Sequence, residues 1–141
     1  MSSPPSAKYW LIRSPYQHRT WDDVLMRNLF RLQGIRNPES ARNVGKMQPG
    51  DLALYYDNIE SKGVFGILEI SAKPYPDPTS NESCWTAIDA IPLKTFDPPV
   101  SLEALKAAPV MASCPLLTRP RLSVAELTLE HFLEVIYLSQ P

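Results

Sequence analysis

A chain of 141 residues, 44% of them apolar, can bury roughly two-thirds of its unfolded surface as one domain and needs no staples. No apolar run approaches the ~20 residues of a bilayer span, and the start, SSPPSA, lacks the regions of a secretory signal. This predicts a soluble, cytoplasmic protein with a disordered tail over residues 1–7 and with Cys84 and Cys114 as free thiols. Net charge is only −1, but residues 1–50 carry eight basic against three acidic side chains, and residues 51–141 six against twelve. A basic first third on an acidic remainder suits an anionic partner.

Lys8-Tyr9-Trp10-Leu11-Ile12-Arg13 reads as a short central strand ended by Ser14-Pro15. Thr20 and Asp23 have the spacing of a capping box, and Trp21, Val24, Leu25, Leu29 and Leu32 recur at helical spacing. An amphipathic helix over 21–32, stopped by Gly34, is therefore expected. Asn37-Pro38-Glu39 signals a second helix, with Asn as cap and Pro at the first position, running to about Lys46.

From Gly50 the chain alternates. Leu52, Leu54 and Tyr56 point one way, Ala53 and Tyr55 the other. A polar loop, Asp57 to Gly63, joins this run to Val64–Ile70, which predicts a β-hairpin. Gly66, inside the second strand, predicts a bulge or a close backbone approach. Pro74, Pro76 and Pro78 should end regular structure, because each lacks an N–H and restricts its predecessor. Another strand is expected over Cys84–Ile91, then a Ser101-capped helix over Leu102–Ala107 stopped by Pro109. Leu116-Leu117 and Leu122-Ser123-Val124 are short apolar pieces. Thr128 caps a last helix whose buried stripe reads Leu129, Phe132, Leu133 and Ile136, with His131 on its surface.

Residues of enzymes are sparse. The five glycines do not cluster, so no phosphate loop precedes a helix, and His18 and His131 have no Cys or acid at metal-ligand spacing. Asp22-Asp23 sit in a first helical turn, where the dipole accounts for them. No metal, no cofactor and no catalysis are expected, although a hydrolase or transferase using Cys84 or Cys114 is a competing reading. Unpaired bases are held by stacking on aromatics and by hydrogen bonds to base edges. Trp21, Tyr55, Tyr56, Tyr75 and Trp85 supply faces, with core packing as the alternative for each and the preferred reading for Trp85, as for Trp10. Tyr75 and Tyr56 have the strongest claims to exposure. Arg36 can grip a phosphate at a helix start, and Asn37 can read a base edge or simply cap the helix. Arg119 and Arg121 flank Pro120 on a stiff loop.

Nine segments in order resemble the EVE domain family, a branch of the PUA-like barrels related to YTH domains. They are Tyr9-Trp10-Leu11 with Ser14; Trp21-Asp22-Asp23-Val24-Leu25; Gly34-Ile35-Arg36-Asn37; Met47-Gln48-Pro49-Gly50-Asp51-Leu52; and Tyr55-Tyr56. Tyr75-Pro76-Asp77-Pro78-Thr79, Trp85-Thr86-Ala87-Ile88-Asp89, Pro99-Val100-Ser101-Leu102 with Leu105-Lys106, and Arg119-Pro120-Arg121-Leu122-Ser123-Val124 complete the set. Arg13-Ser14-Pro15 lacks the family's acid. Leu32-Gln33 replace a Trp-acid pair, and Pro38-Glu39-Ser40-Ala41-Arg42-Asn43 replace Tyr-Gln-Ala-Arg-Asn. The resemblance implies an α+β fold: a partly closed, PUA-like β-barrel of about five to six strands with short flanking helices, one domain over 8–141. It further implies a non-catalytic domain that binds RNA or DNA, single-stranded or with a flipped base, at a modified or unpaired base. A repurposed pocket for a small molecule or nucleotide is the alternative, and a protein partner would be needed to read duplex. Candidate binding residues are Arg13, Ser14, Trp21, Arg36, Asn37, Arg42, Asn43, Tyr55, Tyr56, Tyr75, Asp77, Arg119, Arg121 and Ser123.

Overall fold

A computed structural model describes residues 7–14, 20–57 and 62–140. The expected tail (apart from Ala7), Pro15, His18 and most of the hairpin loop lie outside the described residues. The strands are β1 (Tyr9–Arg13), β2 (Phe30–Leu32), β3 (Leu52–Asp57), β4 (Gly63–Ile70), β5 (Tyr75–Pro76), β6 (Thr86–Ser101) and β7 (Val124–Leu127). They form a curled sheet in the order β2-β6-β4-β3-β1-β7, with β5 paired to the start of β6. The helices are α1 (Trp21–Arg27), α2 (Pro38–Lys46), α3 (Leu102–Ala107), α4 (Pro115–Thr118) and α5 (Leu129–Leu138), with a 3-10 turn over Pro109–Ser113. This is the α+β, partly closed barrel expected. Among the described residues no helix is long and apolar enough to cross a membrane.

β1 is central, parallel to β3 on one side and antiparallel to β7 on the other. Because the centre of the sheet is covered on both faces, β1 and β3 contribute alternate residues to two cores. Trp10, Ile12, Ala53 and Tyr55 join α1, β2 and α2 on one side. Leu11, Leu54 and Tyr56 join α3, α4 and α5 on the other. The predicted alternation of β3 is thus observed. So is the close approach at Gly66, which pairs with Tyr55 beside a bulge, packed under Trp21 and the Lys94 carbonyl.

Several expectations are corrected. The helix from Trp21 ends at Arg27, because Asn28 adopts the left-handed conformation (φ 52°) and its N–H closes on the Leu25 carbonyl. Phe30 and Leu32 then alternate inward as β2, with Arg31 outward, a period-2 pattern that the spacing of Leu29 and Leu32 had disguised as helix. Asn is among the few non-glycine residues that tolerate this conformation. Asn28→Ala is expected to cost about 1 kcal/mol in urea unfolding, and Asn28→Gly to be near neutral.

β6 runs ten residues past Ile91, to Ser101. Pro92, Pro98 and Pro99 are accommodated because its pairing with β4 skips, leaving Leu93 bulged and exposed. Pro76 likewise pairs at a sheet edge in β5 rather than ending regular structure. The α2, α3 and α5 caps are as read, with Asn37, Ser101 and Thr128 accepting from Ser40, Ala104 and His131 N–H groups. The buried face of α5 differs from the expected stripe. Phe132 and Val135 are buried together with His131, whereas Leu129 and Leu133 are half exposed. His131 is drawn in by the 3-10 turn, its Nε2 lying 3.0 Å from Ser113 Oγ.

Candidate nucleic-acid interface

The segment Gly34–Asn37, between β2 and α2, is held by one buried carboxylate. Asp77 accepts hydrogen bonds from the Gly34 N–H (2.7 Å), Arg36 Nη1 (3.0 Å), the Thr79 N–H (2.8 Å) and Thr79 Oγ1 (2.6 Å). Burial alone would raise its pKa, but the Thr79, Gly34 and Arg36 donors outweigh it and hold the carboxyl at about 2. Arg36 also donates to Thr79 Oγ1 (3.0 Å) and lies over the half-buried Trp85 ring at 5.4 Å. Its guanidinium is therefore ion-paired and fixed, and acts first as a wall.

Beside that wall lies a cavity of about 550 Å³, within the range of small-ligand sites. Its apolar lining includes Val24, Phe30 and Ile35. Its polar lining includes Asp23, Arg27, Arg31, Gln33, Arg36, Asn37 and Thr79, with Ser14 and Ser123. Arg31 pairs with Asp89 at 3.3 Å, and Tyr75 donates to the same carboxylate oxygen at 2.6 Å. Burial and that hydrogen bond push the Tyr75 phenol up to about 12, so it stays a donor. Arg27, exposed at the end of α1, has no ion-pair partner among the described residues.

Of the residues marked from sequence, Ser14, Arg36, Asn37 and Ser123 meet in this cavity. Arg119 and Arg121 line a second, smaller concavity of about 260 Å³ that shares Asn37 with the first. Asp77 lies beneath the wall and Tyr75 beside Arg31. The others are elsewhere. Trp21 (4% exposed), Tyr55 (0%) and Tyr56 (3%) present no face for stacking. A strand covered on both faces buries both of its alternating sets, so the exposure expected of Tyr56 at the hairpin end is corrected. Trp21 donates from Nε1 to Thr95 Oγ1 at 2.8 Å. Arg13 is buried under the segment 116–122, the end of α4 and the loop after it, with Tyr56 against its guanidinium. Asn43 secures the sheet edge through Val124 O (2.8 Å), and Arg42 is exposed on α2 outside both concavities.

Arg27, Arg31, Gln33 and Thr79 were missed. The charge excess of residues 1–50 was a signal for the two arginines, but a continuous helix over 21–32 concealed how the turn at Asn28 brings both to one cavity. No group of three or more His, Cys, Asp or Glu could hold a metal among the described residues. Cys114 is buried, and burial pushes its thiol up; Cys84 is exposed.

The family model described as EVE domain matches residues 8–138. Thymocyte nuclear protein 1 of Rattus norvegicus is 26% identical over 168 aligned positions, which cover 95% of this chain and 74% of that protein. The NMR structure of Rpa0253 from Rhodopseudomonas palustris is 32% identical, with a TM-score of 0.88 over 94% of this chain and 93% of its own. Human THYN1 protein, solved in complex with 5-methylcytosine containing DNA, is 22% identical with a TM-score of 0.86, covering 96% of this chain and 99% of its own.

Proposed function

This chain belongs to the EVE domain family, and from that premise we propose that it binds nucleic acid without catalysis, taking one unpaired or modified base into the cavity beside Arg36. The observation that carries the reading is the composition of that cavity: an apolar floor of Val24, Phe30 and Ile35 under a rim of arginine and amide donors. A base face suits the floor, and its edge suits Gln33. Arg27, without a carboxylate partner among the described residues, is the natural contact for a phosphate. Arg31 and Arg36 are held by Asp89 and Asp77 and shape the site. The human THYN1 complex with methylated DNA supports a modified pyrimidine as the first base to test.

Magnitudes favour a single-stranded ligand. One stacked base contributes roughly 1–3 kcal/mol, whereas a micromolar complex needs about 8 kcal/mol. Extracting a base from duplex costs a few kcal/mol more. The test is an array of single-stranded RNA and DNA oligonucleotides, unmodified or carrying 5-methylcytosine or N6-methyladenine, probed with wild type and Arg27→Ala. Wild type should bind at about micromolar affinity, more weakly as salt rises. Arg27→Ala should weaken all sequences about equally and lower the salt slope by about one. Absence of binding to every oligonucleotide, or binding indifferent to salt, would overturn the reading.

A further inference from the structure

Resting on the base-cavity reading, we infer that the ligand is a strand rather than a free base or nucleotide, and that the second concavity receives the phosphodiester of the neighbouring nucleotide. The two hollows share Asn37, and the adjacent residues Leu122 and Ser123 line one each. A chain leaving the first hollow past Asn37 therefore enters the second.

The wall of the second hollow, Thr118 to Leu122, is fixed from two sides. From beneath, buried Arg13 donates from Nε to the Leu122 carbonyl (2.9 Å) and from Nη2 to those of Leu116 (2.8 Å) and Arg119 (3.2 Å). From the side, Arg119 grips Glu39 of α2 with both nitrogens, at 2.6 and 3.2 Å. A loop ordered in advance loses little entropy on binding. What it offers is an anion's requirement. Arg121 is exposed and has no ion pair among the described residues. Asn37 spends its Oδ1 on the Ser40 N–H, so its amide NH₂ is the group left to donate. Glu39, the carboxylate nearest in sequence, is already taken by Arg119. Continuity with the base cavity identifies the anion as a backbone phosphate.

The test measures binding of 5-methyl-2′-deoxycytidine, its 3′- and 5′-monophosphates, and a short single-stranded DNA with that base at its centre, at low and moderate salt. The oligonucleotide should bind at least about tenfold more tightly than the nucleoside, and one of the two monophosphates should show part of the gain. Arg121→Ala should remove the part of that gain that Arg27→Ala leaves, and reduce the salt slope by about one. Arg121→Lys should keep part of it. If the nucleoside binds but the oligonucleotide gains nothing, or the gain survives Arg121→Ala undiminished, the strand path is wrong and the base cavity stands. If no probe binds, while the wider array also fails, both readings fall together.

Discussion

Gly66→Ala should destabilise the protein by about 3 kcal/mol, near the top of the range for overpacking a core. A Cβ at this position would sit 2.3 Å from Trp21 Cζ2 and 2.5 Å from the Lys94 carbonyl oxygen. The indole cannot swing away freely, because its Nε1 is bonded to Thr95 Oγ1 and its ring packs on Tyr55 at 5.7 Å. The carbonyl belongs to the paired strand β6 and cannot give without breaking register. Trp21 is also the first residue of α1, which carries Val24 and Arg27 into the cavity wall. Nucleic-acid affinity should therefore fall along with stability. Urea unfolding reads the first effect and oligonucleotide titration the second. In a Trp21→Phe background the penalty should shrink without vanishing, since the carbonyl clash remains. An unchanged urea midpoint for Gly66→Ala would mean that β4 does not pass beneath Trp21 as described.

Asp77→Asn tests the other side of the same wall and adds a pH signature. The folded-state pKa of Asp77 is about 2, below the ordinary value of about 3.9 for an unfolded chain. The stabilisation is fully present above the unfolded value and is lost as pH falls from about 4 towards 2. A gap of that size is worth about 2.5 kcal/mol. The asparagine variant cannot replace a carboxylate that accepts from Gly34, Thr79 and Arg36 together. It should be about 2 kcal/mol less stable at pH 7, and the difference should narrow near the acid end. Urea midpoints at pH 7 and near pH 2.5 make the comparison. An equal difference at both values would sink the account of Asp77 as an ionised tie.

Local chemistry was legible wherever neighbouring residues decide it. Thr20, Asn37, Ser101 and Thr128 each satisfy N–H groups at their own helix starts, so their caps needed no tertiary knowledge. The sequence was misread where two periods fit the same letters. Trp21, Val24, Leu25, Leu29 and Leu32 suit a helix, but Phe30 and Leu32 also suit a strand, and the left-handed Asn28 settles it. β7, four residues long, escaped notice because its pairing with β1 comes from 112 to 118 positions away. The candidate site divides in the same manner. Arg36, Asn37, Arg119 and Arg121 stand out beside Pro or Asn punctuation, whereas Arg27 and Arg31 carry no local mark.

The order of residues by itself determined the helix caps and the alternation of β3, since each rests on backbone geometry within one element. It marked Gly66 as special, but the reason, Trp21 and the Lys94 carbonyl pressed against it, is tertiary. It also determined the family, through motifs preserved in order along the chain. Only the tertiary structure decided which aromatics are sealed in two cores and which arginines keep a free charge. Burial and ion pairing depend on side chains brought together across the sheet, as Asp77 meets Arg36 and Glu39 meets Arg119, and spacing along the chain carries no record of those distances.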